Sequence, residues 1–305
     1  MDSPHGHSHS HGHHAELKEK NLLFATVLNL FITVAEIIGG LISNSLALLS
    51  DAIHNLGDTF AVMLAYIANR IAKKGATEKK TFGFKRIEIL TALLNAVVLI
   101  VIIIFLFIEA YRRFQSPQPI KGLIMFIVAT AGLIANLVAV VLLKKDSRSN
   151  INVRAAYLHL LGDTISSVAV IAGSVLIYFF RIYWIDPLIT VLIGIYIIRE
   201  AFLILKEAVD ILMQGTPPTI NIREVVSEIE KHKEINNVHH VHTWKLNDTQ
   251  IHFEGHIDLD RDIPISQADL LRSEIENMLQ NKFDISHVTI QFEYNCCDEK
   301  KVIHK

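Results

Sequence analysis

The sequence predicts an α-helical membrane protein: six transmembrane helices followed by a small α+β domain. Three observations lead there. Of the 305 residues, 51% are hydrophobic and the mean hydropathy is +0.36, too apolar for an ordinary soluble domain. Six stretches approach the roughly 20 mainly apolar residues that a bilayer crossing takes. From about residue 210 the chain turns charged, rich in histidine and alternating, which marks a separate soluble unit.

The first element, residues 1–18, is a tail in which His5, His7, His9, His11, His13 and His14 are interleaved with Gly and Ser. It lacks the basic start and apolar core of a cleavable signal. Such a tract cannot build a core, but it can chelate metal loosely. The transmembrane domain covers 19–209, with helices at about 21–42, 46–68, 87–109, 120–143, 155–180 and 186–205. The run at 100–108 is apolar without a break, whereas the other helices carry isolated polar residues.

Loop charges orient this bundle, because cytosolic loops are enriched in Lys and Arg. Arg70, Lys73, Lys74, Lys79, Lys80, Lys85 and Arg86 lie between the second and third helices. Lys144, Lys145, Arg148 and Arg154 lie between the fourth and fifth, while Ser43-Asn44-Ser45 on the other side has no charge. Both chain ends and the soluble domain are therefore expected in the cytosol. The Arg112-Arg113 pair dissents and is outnumbered.

The soluble domain, 210–296, reads as helix 221–233, strand 237–246, strand 249–258, helix 266–281 and strand 286–293, before a C-terminal tail at 297–305. Val225, Val226 and Ile229 give its first helix an apolar stripe; Leu270, Leu271, Ile275 and Leu279 give the second one. The αββαβ order suits an open sandwich with both helices on one face of the sheet. The two cysteines, Cys296 and Cys297, are adjacent and imply no disulfide framework. A net charge of −2, with no basic patch interleaved with aromatics, gives no reason to expect nucleic acid as a partner.

Two six-residue stretches nearly repeat. His54-Asn55-Leu56-Gly57-Asp58-Thr59 recurs as His159-Leu160-Leu161-Gly162-Asp163-Thr164. Each lies in a membrane helix, where ionisable side chains are costly and tend to be functional. In each, His and Asp stand four apart on one helix face. Facing each other, the pairs offer two imidazoles and two carboxylates to one divalent cation, a tetrahedral set that suits zinc. Gly57 and Gly162 allow close helix approach. Asp51 joins the stripe of His54 and Asp58, and Ser166 and Ser167 lie a turn deeper on the fifth helix. Asn29, Glu36, Asn95 and Asn136 fit a hydrated path or packing hydrogen bonds equally well.

The chain resembles the cation diffusion facilitators, zinc-efflux transporters, over nearly its whole length. Ser45-Leu46-Ala47-Leu48-Leu49-Ser50-Asp51-Ala52 leads into His54 and Asp58. Thr81-Phe82-Gly83-Phe84-Lys85-Arg86-Ile87-Glu88 opens the third helix, and Arg154-Ala155-Ala156-Tyr157-Leu158-His159 runs on to Asp163. Asp186-Pro187, Gly215-Thr216-Pro217 and Val241-His242-Thr243-Trp244 complete the match. The resemblance implies that His54, Asp58, His159 and Asp163 form the transport site. It also implies zinc efflux across a bacterial plasma (inner) membrane, with cadmium or cobalt tolerated, in exchange for protons, by a homodimer embedded in lipid. Zinc on the cytosolic domain is implied at His239, His256, His287 and Glu293. Gln291 and Asp269 stand where other members carry further histidines beside His252, and Lys80 and Phe84 replace the loop histidines of some relatives, so no loop site is expected.

The ligand chemistry points the same way on its own. Imidazoles favour zinc over ions that prefer oxygen-rich sites. Ligands must be deprotonated to bind, so zinc and protons compete for them. Two other classes remain as alternatives: a membrane-embedded metalloenzyme and a metal sensor. An enzyme needs an open coordination position and a general base, yet the four ligands close the site and the sequence has no His-Glu-x-x-His. A sensor needs no ligands at mid-membrane depth.

Overall fold

A computed structural model describes residues 11–144, 151–295 and 301–303; side chains at 11–26, 143, 151–156, 158 and 159 lie outside that description. The long helices are α1 (His11–Ser43), α2 (Leu46–Ala72), α3 (Ile87–Gln115), α4 (Gly122–Leu143), α5 (Ile151–Phe180) and α6 (Ile185–Leu212). They are followed by α7 (Ile222–Ile229), β1 (Ile235–Lys245), β2 (Ile251–Leu259), α8 (Ile265–Phe283) and β3 (His287–Tyr294), the expected αββαβ order. Helix α1 begins at His11, inside the stretch set apart from sequence as a tail. His5, His7 and His9, like Cys296 and Cys297, lie outside the described residues.

Among the described residues, Ile87–Gln115, Gly122–Leu142, Leu160–Phe180 and Ile185–Leu212 are long and apolar enough to cross a membrane, and Val27–Ser43 is a shorter apolar helix. Helix α2 is long enough, but Asp51, His54, Asn55 and Asp58 interrupt its apolar run.

The chain divides into two compact units, one of residues 1–63 and 95–202 and the other of 64–94 and 203–305. In the first, α4 packs along both α1 and α5. The corner between α1 and α2 is closely defined. Asn44 ends α1 in the left-handed conformation, at φ 59°, a common way to terminate a helix. Arg113 of α3 donates to the Asn44 carbonyl at 2.6 Å and to its side-chain oxygen at 2.9 Å. Half of the dissenting Arg112-Arg113 pair thus clamps a loop.

Asp186, at the start of α6, caps α2 from far along the chain. It accepts from Ser45 Oγ at 2.5 Å, from the Leu46 N–H at 2.8 Å and from the Ala47 N–H at 3.2 Å. These satisfy donors that a helix start leaves open and place a negative charge at its positive end.

In the second unit the sheet order is β1-β2-β3, with β1 antiparallel and β3 parallel to β2. Val238, Phe253, Ile257, Ile275 and Leu279 anchor the core between the sheet and its two helices. Asn221 caps α7 by accepting from the Arg223 N–H at 3.1 Å. The loop after α2 belongs to this unit: Lys85 Nζ donates to Gln250 at 2.7 Å, and Phe82 meets His252 edge-on at 5.6 Å. Gly83, at φ +68°, makes the turn that sets Phe82 there.

Candidate metal centre

Helix α2 enters from its Asp186 cap and reaches Asp51, His54 and Asp58 along one stripe. Asp51 and His54 are buried. Helix α5 brings Asp163, 2% exposed, from the other side. The His54 imidazole lies between the two carboxylates: Nδ1 is 3.4 Å from Asp58 Oδ2, and Nε2 is 3.7 Å from Asp163 Oδ1. Three of the four residues singled out from sequence therefore meet across two helices. His159 stands one turn before Asp163 on α5, but its side chain lies outside the described residues.

Other contacts hold this arrangement. The Ser166 hydroxyl donates to Asp51 Oδ1 at 2.5 Å and lies 2.9 Å from the Asp163 carbonyl, so it ties α2 to α5 beside the ligands. The expected close approach at the glycines is to other helices. A Cβ on Gly57 would lie 3.3 Å from Leu99 of α3, and one on Gly162 would lie 3.4 Å from the Tyr196 hydroxyl of α6. The Tyr196 ring stands edge-on to His54 at 6.1 Å. Sequence reasoning missed Tyr196, since a lone tyrosine in an apolar helix carries no signal.

The cytosolic unit holds a second cluster. His239 and His256 pair across β1 and β2. Glu293 of β3 reaches both, with Oε2 3.2 Å from His239 Nε2 and Oε1 2.8 Å from His256 Nδ1. The ligand atoms of all three lie within 4.8 Å of one another, close enough to hold one metal ion. Gln291 donates to Glu293 Oε1 at 2.7 Å and orients it.

His287 does not join them. It precedes Glu293 by six residues on the same strand, roughly 20 Å at strand rise. Instead it pairs in register with His252, their rings 4.7 Å apart, and Trp244 stacks on His252 at 5.4 Å. Burial, then His287, Lys85 and Arg86, hold the His252 imidazole below the ordinary histidine range.

The membrane helices and the cytosolic sheet find their counterparts in known proteins. Residues 22–213 match the cation efflux transmembrane domain. The chain belongs to the cation efflux family. Residues 217–295 match the cytoplasmic domain of cation efflux proteins. This cation efflux protein is similar to the metal cation efflux system protein CzcD of Cupriavidus metallidurans, at 38% identity over 98% of this chain and 92% of the relative. It is 40% identical to the zinc transporter ZitB of Pectobacterium atrosepticum, over 92% of this chain and 87% of the relative. It is 37% identical to the cadmium, cobalt and zinc/H(+)-K(+) antiporter of Bacillus subtilis, over 90% and 89%. The family is one of transporters, so the metalloenzyme reading gives way.

Proposed function

We propose that this cation efflux protein exports zinc from the cytosol in exchange for protons, by alternating access around one membrane site. The observation that carries the reading is the His54 imidazole between Asp58 and Asp163, deep in a helix bundle. His159, one turn from Asp163, completes a set of two nitrogens and two oxygens, which suits zinc. Cadmium and cobalt, which the name of the Bacillus relative includes, are secondary substrates. The coupling follows from the same ligands. Each binds metal only when it has lost its proton, so a site opened to the acidic side exchanges zinc for protons.

The protein works as a homodimer in a bacterial inner membrane, with both ends in the cytosol, as the loop charges favour. The histidines of the N-terminal tail collect zinc near the cytosolic mouth and raise its local concentration.

Zinc uptake into proteoliposomes, followed with an enclosed fluorescent dye, tests the reading. An acid interior should drive accumulation, and a protonophore should collapse it. Apparent zinc affinity should weaken as the pH falls, since zinc and protons compete for the same ligands. The sign follows because protonated ligands cannot bind. Accumulation that ignores both the gradient and the protonophore would leave facilitated diffusion instead.

A resident zinc on the cytosolic unit, held by His239, His256 and Glu293, is a separate part of the proposal. Glu293→Gln removes the anionic ligand and should weaken that site by at least about 100-fold, more than loss of an outer contact does. Direct metal analysis should then find one fewer zinc per protomer, with transport at saturating zinc retained. An unchanged zinc content would remove this site from the reading.

A further inference from the structure

Glu36 is a buried acidic group that the metal site leaves unused. It stands on α1, is 1% exposed, and belongs to the same compact unit as the ligands. Its Oε2 accepts from Nδ2 of Asn55, the residue after His54, at 3.1 Å. Its Oε1 is buried with no hydrogen-bond partner. That oxygen faces α4, where a Cβ added to Gly132 would lie 2.6 Å from it, so the glycine makes room for the carboxyl. One turn along α4, Asn136 is 1% exposed, and its Nδ2 is also without a partner.

A carboxylate in such surroundings is costly. One neutral donor does not balance a full charge, and no water-facing surface screens it. Glu36 adjoins the ligand-bearing helix α2 through its bond to Asn55, which follows His54 directly. From α4, Glu36 meets Gly132, which carries no charge. A packing role would need only an acceptor for Asn55. A glutamine supplies that without leaving a buried acidic oxygen unpaired.

We propose that Glu36 is a proton-binding group of the transport domain, distinct from the metal ligands and linked to them through charge. This rests on the antiport reading above. With the metal site empty, the buried carboxyl keeps its proton, because one amide donor does not balance a full charge. When a divalent cation arrives at the ligands, its positive charge favours the carboxylate, the Glu36 O–H bond breaks and the proton passes to water. When the cation leaves, a proton from water re-forms that bond. No electrons are exchanged, and each cycle returns Glu36 to its starting state. Asn55, bonded to Glu36 and adjacent to His54, connects the two sites.

The test counts protons. Purified full-length protein in weakly buffered detergent is titrated with zinc at pH 7 while a pH dye records release. Glu36→Gln should keep zinc binding within a few fold and release about one proton fewer per zinc. An equal count, with binding intact, overturns the proposal. If the glutamine variant does not fold, Glu36→Asp keeps the acid but withdraws it by one methylene. It should shift the pH midpoint of the release, and an unmoved midpoint overturns the assignment. Release that changes with potassium but not sodium would mean that the site takes a monovalent cation, and the proton assignment would be wrong. Failure of antiport itself looks different: the unaltered protein would then move zinc in proteoliposomes with no proton counter-flux.

Discussion

Replacing His54 with alanine should abolish zinc transport while leaving a folded, membrane-inserted protein. The imidazole is the hub of the site, with one nitrogen 3.4 Å from Asp58 and the other 3.7 Å from Asp163. Its loss removes the nitrogen donor that stands between the two carboxylates. Outer contacts of metal sites already contribute 10- to 100-fold to affinity or activity, so a direct ligand should contribute at least about 100-fold. Asp163→Ala should be as severe, because Asp163 is the acid that α5 brings to His54. Proteoliposome flux measures the loss, and circular dichroism with size-exclusion elution checks folding. Flux within a few fold of the unaltered protein in either variant would remove these residues from the transport site.

The fold, and the convergence of His54, Asp58 and Asp163, are legible in the sequence because they depend on local pattern. Hydropathy marks α3, α4, α5 and α6 outright, and the polar breaks in α2 mark residues that meet α5. The spacing of His54 with Asp58, and of His159 with Asp163, fixes each pair on one helix face whatever the packing. The repeat of the pattern suggested that the faces meet. What sequence missed depends on contacts between distant segments. Nothing near Gly57 or Gly162 tells that their partners are Leu99 and Tyr196 rather than each other.

The cytosolic histidines show the same divide. His239 and His256 face each other because β1 and β2 pair antiparallel, and the register slips just beyond, between His239 and His242. His240 takes φ 51° there, which no period-two pattern reveals. His287 was grouped with Glu293 on the family's pattern. Strand spacing alone argues against it, since the two lie six positions apart on one strand.

The second large effect concerns Asp186, which carries no metal and lies in the first turn of α6. Its carboxylate accepts from Ser45 Oγ and from two backbone N–H groups at the start of α2. Ser45 Oγ in turn accepts from the Leu48 N–H at 3.1 Å, so one acid organises the whole first turn. Asp51 and His54 follow within two turns, and their placement against α5 inherits the position of that turn. Asp186→Ala leaves buried donors without acceptors, at a cost on the order of 3 kcal/mol. Melting in detergent should therefore move to clearly lower temperature. Zinc transport should fall about 10-fold or more, because small misplacements of ligating groups are costly. Asp186→Asn keeps one carbonyl acceptor and should lie between the two. The decisive comparison is zinc binding by each variant at a temperature where it is still folded. Weakened binding there would place the effect in the geometry of α2. Full affinity in a folded Asp186→Ala protein would mean that Asp186 stabilises the fold without positioning the site.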